Sequence, residues 1–170
     1  MKKLFGTALT VALLGAMSLG AVASSASASH KPTKNIVQTA VAAGSFKTLV
    51  SLVKQAGLAG ALSGPGQLTV FAPTDAAFAK VPKATLAALA KNKAKLKAVL
   101  LYHVVSGKLT AAQVVKHKSL TTLEGRTLSI RTSAGNVYVN HSRVIKPDVM
   151  ASNGVIHVIN QVLIPRARLT

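Results

Sequence analysis

The side chains best suited to acid–base or metal chemistry in this 170-residue chain are three carboxylates, Asp75, Glu124 and Asp148, and five histidines, His30, His103, His117, His141 and His157. Two carboxylates share a hydrolytic step only when the fold sets them on either side of one bond. Asp75 and Asp148 are the pair that such a site would need. A Ser-His-Asp relay has its raw material, but no G-x-S-x-G elbow is present to expose a serine. The histidines fall at no helical ligand spacing, and no cysteine joins them. No G-x-x-x-x-G-K stretch is present to cradle a phosphate. The chain therefore reads as non-catalytic, without cofactor or metal. His103 lies on an apolar helical face and His157 in an apolar run. Both positions suit core histidines with satisfied ring nitrogens.

The elements around these residues follow from periodicity. Ile36, Val37, Ala40 and Val41 share one helical face, and Gly44 stops that helix. Ser45 is placed to cap a second helix, with Phe46, Leu49, Val50 and Val53 inward and Gly57 at its end. Gly64-Pro65-Gly66 makes a loop, and Leu68 to Phe71 a short buried strand. In "TVFAPTDAAF", Pro73 ends the strand and Thr74 or Asp75 is placed to cap the next helix, where a negative charge suits the helix dipole. "KATLAALAKN" is helical, and Leu96, Val99, Leu100 and His103 mark the inner face of another helix. Lys91, Lys93, Lys95 and Lys97 crowd its start, the end that disfavours cations, with no acid beside them. "TAAQVV" is a short helix. From Ser119 the period falls to two, with turns at Glu124-Gly125 and at Ala134 to Asn136. "SRVIKPDVM" and "GVIHVINQVLI" are further strands. The second is apolar on both faces and so central in its sheet. Helices first and strands later indicate an α+β domain.

Residues 1–28 read as a signal peptide: Lys2 and Lys3, an apolar run from Leu4 to Ala23, and an Ala26-Ser27-Ala28 cleavage site. A short polar tail (29–34), one domain (35–165) and a basic C-terminal tail (166–170) follow. The domain is long enough to bury a core without disulfides. The formal net charge is +18, of which two units leave with Lys2 and Lys3. Such a field draws polyanions. Aromatic residues make up 4% and there is no Trp, so a stacking platform for single-stranded nucleic acid is missing. With so few carboxylates to protonate, the fold is expected to tolerate acid, opposed by histidine charging and self-repulsion.

Three stretches in order resemble one family. "TVFAPTDAAFAKVP" (Thr69 to Pro82) is similar to the first signature block of the fasciclin-type FAS1 domain, "LLYHVVSGKL" (Leu100 to Leu109) to its Tyr-His block, and "KPDVMASNGVIHVINQVLIP" (Lys146 to Pro165) to its closing block. The resemblance covers roughly residues 35–165. It implies helices packed on a twisted β-sandwich or wedge, and an exported adhesion or matrix module without catalytic activity. In animal members the Tyr-His block and an Asp-Ile pair are implicated in integrin binding. Tyr102 and His103 match the first, and Asp148-Val149 the second with Val for Ile. The competing expectation is that Tyr102 and His103 form a buried hydrogen-bonding pair and Asp148 a turn acceptor. Asn160 stands where the family commonly has Asp. The expected partner is an anionic polysaccharide or cell-surface polymer, with the four lysines of 91–97 as its candidate site. The alternative is an extracellular carrier of a carotenoid or lipid, held in a groove between helices and sheet.

Overall fold

The computed structural model describes residues 32–165. The signal peptide, residues 29–31 of the polar tail with His30, and the basic C-terminal tail lie outside the described residues. Asn35 opens α1 (Ile36–Ala43) with a reciprocal cap: its Oδ1 accepts the Gln38 N–H while Gln38 Oε1 accepts the Asn35 N–H. Gly44 closes it in the left-handed conformation. Next come α2 (Lys47–Gln55), α3 (Ala59–Ser63), β1 (Leu68–Pro73), α4 (Asp75–Ala79), α5 (Lys83–Lys91) and α6 (Lys93–Leu101). The second half holds β2 (Val104–Ser106), α7 (Ala111–Val114), β3 (Ser119–Thr121), β4 (Thr127–Ser133), β5 (Asn136–Val139), β6 (Ser142–Ala151) and β7 (Gly154–Ile159). Fold class and strand-rich second half match the sequence reading.

The strands form one mixed sheet in the order β2-β1-β7-β6-β5-β4-β3. As expected, β7 is central, parallel to β1 and antiparallel to β6, with all of its residues buried. The two sheet edges meet at a Val105–Thr122 bridge, so the sheet curls towards a barrel. Strand alternation then divides the interior. Val70 and Ala72 of β1 and Ile156 and Val158 of β7 face the helices, against Ile36, Leu49, Val53, Leu96 and Leu100. Phe71 and Ile159 face inside the curl, with Tyr102, Val114, Leu128, Ile130 and Val139.

The Asn153-Gly154 turn joins the layers. Asn153 is buried; its Oδ1 accepts the Ile36 N–H at 2.9 Å and its Nδ2 donates to the carbonyls of Leu62 and Gly64. At Gly154 a Cβ would overlap the Leu68 carbonyl of the paired strand.

Three local expectations are corrected. Ser45 does not cap α2: the N-cap residue is Phe46, and it supplies no side-chain bond. The inner helical face does not run through to His103, because α6 ends at Leu101 with Tyr102 as its C-cap residue. The last strand stops at Ile159, before the polar Asn160 and Gln161.

Candidate functional site

The chain's three carboxylates answer different needs. Thr74 caps α4, its Oγ1 accepting the Ala77 N–H at 3.1 Å. Asp75 instead caps α2 from outside: Oδ1 accepts the Thr48 N–H at 2.8 Å and Oδ2 the Lys47 N–H at 3.2 Å. Its own N–H donates to the Ser45 carbonyl, so the two helix starts are clasped together. Burial works against ionising Asp75, but the bonds from Thr48 and Lys47 and the Lys47 charge outweigh it, and its pKa lies below the ordinary value. Glu124 pairs with Arg126 at 3.3 Å.

Asp148 lies in the irregular stretch of β6, between the Lys146 and Val149 pairings, with φ at +55°. There its Oδ1 accepts the Ala111 N–H of α7 at 2.7 Å. Its own N–H donates to His157 Nδ1 at 3.3 Å, and His157 Nε2 donates to the Leu109 carbonyl at 2.8 Å. Thr69 completes the knot, donating to the Gly107 carbonyl and accepting the Leu109 N–H. Residues 107–111 are thus held by side chains from β1, β6 and β7. Burial lowers the His157 pKa against the opposing Leu109 bond and the Asp148 charge, and its ring stacks on Phe71 with centroids 5.5 Å apart.

Tyr102 and His103 are both buried, and they do not bond to each other. Tyr102 faces the inside of the curl, where its hydroxyl donates to the Thr127 carbonyl at 3.4 Å and accepts from Asn140 Nδ2 at 3.1 Å. His103 Nε2 accepts the Leu163 N–H at 2.8 Å, so Nδ1 carries the proton given to the Val99 carbonyl at 2.7 Å. Full burial pushes the His103 pKa down to about 4. Val149 packs, half-buried, against the helix-side core. Of the four family-matched positions, then, Tyr102 and His103 are buried with their polar atoms bonded inside the fold, and only Asp148 is exposed, with Oδ1 given to Ala111.

Asp75 and Asp148 cap different helices rather than flanking a common space. Asn160 keeps the acceptor role its position needs, its Oδ1 taking the Arg143 N–H at 2.9 Å, which an amide does as well as a carboxylate. Lys91, Lys93, Lys95 and Lys97 are all exposed around the start of α6, which Asn92 caps through the Lys95 N–H. Between helices and sheet lie a cavity of about 30 Å³ lined by Val37, Val50, Val70, His103 and Ile156 among others, and a more open pocket of about 270 Å³ between Thr39, Phe46 and Thr74 on one side and Ile145, Val149 and Val158 on the other. No group of metal-ligating residues occurs among the described residues. Sequence reasoning missed the buried Asn153 and the binding of residues 107–111 by Thr69. Neither carries a periodic or capping signal.

The Fasciclin domain profile matches residues 44–165. Two proteins of the cyanobacterium Synechocystis are similar over most of the chain. Protein sll1483 is 50% identical over 132 residues, covering 76% of this chain and 73% of that protein. Protein sll1735 is 44% identical over 130 residues, 76% of this chain and 97% of that one. A solved FAS1 domain pair from the insect cell adhesion molecule Fasciclin I superposes with a TM-score of 0.66 at 20% identity, over 79% of this chain and 52% of that one. The chain belongs to the fasciclin-domain family. Domains of this family are typically adhesion or extracellular modules, and nothing in the match points to catalysis. No helix among the described residues is long and apolar enough to cross a membrane.

Proposed function

We propose that this chain is a secreted, non-catalytic adhesion module that attaches to anionic polysaccharide or cell-surface polymer through its positive charge. The observation that carries this reading is the use of the carboxylates. All three are occupied within the fold, two as acceptors for helix N–H groups and one in the Arg126 pair. The exposed lysines of 91–97 therefore have no acidic neighbour to neutralise them. Kinship with a cell adhesion molecule agrees with the reading at the level of fold. Carriage of a carotenoid or lipid is not favoured: the space enclosed by the core helices is about 30 Å³ and the helix–sheet pocket beside it about 270 Å³, both below an ordinary small-molecule pocket of roughly 300–1,000 Å³, while the cleft of about 670 Å³ is lined by polar groups such as Arg126, Asn140, His141 and Gln161.

The test is retention of the purified protein on immobilised polygalacturonate and on cells of its source, eluted with a salt gradient. Charges at the surface are screened over about 8 Å at physiological salt, so elution at modest salt is expected, with no retention on neutral dextran. Retention that ignores salt, or none at low salt, sinks the proposal.

A further inference from the structure

The chain writes most of its positive charge as lysine, yet two of the three arginines among the described residues, Arg126, Arg131 and Arg143, stand in one row. The strand registers set Arg131 of β4 opposite Tyr138 of β5, and Tyr138 opposite Arg143 of β6. Residues directly opposite in neighbouring strands share a face. Their sequence neighbours Ile130, Val139 and Ser142 are buried, while Arg131 and Arg143 are exposed and Tyr138 is half-buried. The row therefore looks outward. Strand spacing puts the two arginine Cα atoms about 10 Å apart with the phenol ring between them.

No acid serves this row. Glu124 is held by Arg126, Asp148 by Ala111, and Asp75 by the start of α2. The other tyrosine of the chain, Tyr102, is committed to the interior. Arginine differs from lysine in presenting a planar fork that matches a carboxylate bidentately. A chain content to use lysine for diffuse charge has placed that fork on each side of its half-exposed aromatic ring. Exposed Ser119 and Ser129, themselves paired across β3 and β4, add hydroxyls to the adjoining surface.

We propose that the Arg131–Tyr138–Arg143 row is a recognition site for carboxylated sugar units, with the ring against a sugar face and the guanidinium groups on the flanking carboxylates. The proposal rests on the polyanion reading above and assigns it a site apart from Lys91 to Lys97. A single ring without a second stacking platform suits a saccharide better than a nucleic acid strand.

The test is calorimetric titration with polygalacturonate oligomers at physiological salt, comparing the wild type with the double variants R131K/R143K and K93Q/K97Q. The first keeps the net charge and removes only the forks. It is expected to weaken binding about tenfold or more, the worth of a charge-assisted hydrogen bond or two. The second removes two charges and is expected to lose less, mainly by flattening the salt dependence. Wild-type affinity in R131K/R143K overturns the row while leaving the polyanion reading standing. Absence of wild-type binding to polygalacturonate and to dextran sulfate, even at low salt, overturns both. If oligothymidylate competes with polygalacturonate and suffers the same loss in R131K/R143K, the sugar assignment is overturned in favour of nucleic acid.

Discussion

The helix-side compartment and the compartment inside the curled sheet are assembled by different means. The first is larger and apolar, mostly aliphatic with Phe46 and Phe78, built from helices whose apolar faces recur at helical spacing and close over β1 and β7. The second is smaller and mixed: Phe71, Tyr102 and Ile159 pack there beside His157 and Thr69, whose polar atoms bind loops far away in sequence. A compartment filled by periodic apolar faces tolerates some change in any one contact. One tied by single hydrogen bonds places specific loops but loses them when one side chain changes.

That contrast can be broken most forcefully at the seam between the two. Gly154→Ala forces a Cβ into the β1 backbone at Leu68 and is expected to cost about 3 kcal/mol or more, seen as a large drop in the denaturant midpoint. Next, Leu96→Ala on the helix side and Leu128→Ala inside the curl are each expected to cost about 2–5 kcal/mol. If the compartments are independent, the double variant adds to within about 0.5 kcal/mol; a larger coupling energy would show one continuous core.

Acid sharpens the contrast through the two histidines. Both are held neutral by burial, so the unfolded chain takes up protons that the folded one refuses. Stability from this source is whole above the unfolded histidine value, near pH 6.5, and falls as pH drops towards the folded values. For His103, with a folded pKa of about 4, the loss by pH 4 is on the order of 3 kcal/mol. His157 adds in the same direction. Thermal melts from pH 7 to pH 4 should show a steady decline, removed in part by His103→Gln if the amide keeps the Val99 and Leu163 bonds. A flat profile would uphold the acid tolerance expected from the scarcity of carboxylates.

Smaller effects follow at the caps and the surface. Asp75→Ala strips two N–H groups of α2 and should cost about 1 kcal/mol, while Asp75→Asn, which keeps one acceptor for the Thr48 N–H and gives up the Lys47 bond, should cost less. Lys97→Gln should leave stability unchanged or raise it by a few tenths of a kcal/mol by relieving the Lys93–Lys97 pair. Equilibrium denaturation reads both.

The helix-side compartment was largely legible in the sequence, since Ile36, Leu49, Val53, Leu96 and Leu100 announce themselves by spacing, and β7 by being apolar on both faces. The inner compartment was not. Nothing local to Ser45 reveals that the cap of α2 arrives from Asp75, nor does the Asp148 stretch reveal a bend whose purpose is to reach Ala111. Such bonds depend on which strands become neighbours, and that is set by the whole sheet. The family-matched Tyr102 and His103 were visible as a pair. Their divergence into separate tasks was not, because it turns on α6 ending one residue before them. The arginine row was equally hidden, because it exists only in the strand registers.

The last strand, β7, lies between the first strand and β6, and its contacts with β1 and β6 hold the centre of the sheet together. Until residues 154–159 are available, β1 has only the short β2 for a partner. Parallel pairing over so long a separation forms slowly and late. A chain emerging from its N-terminus therefore keeps this sheet open until residues 154–159 have been made, and then closes it around β7.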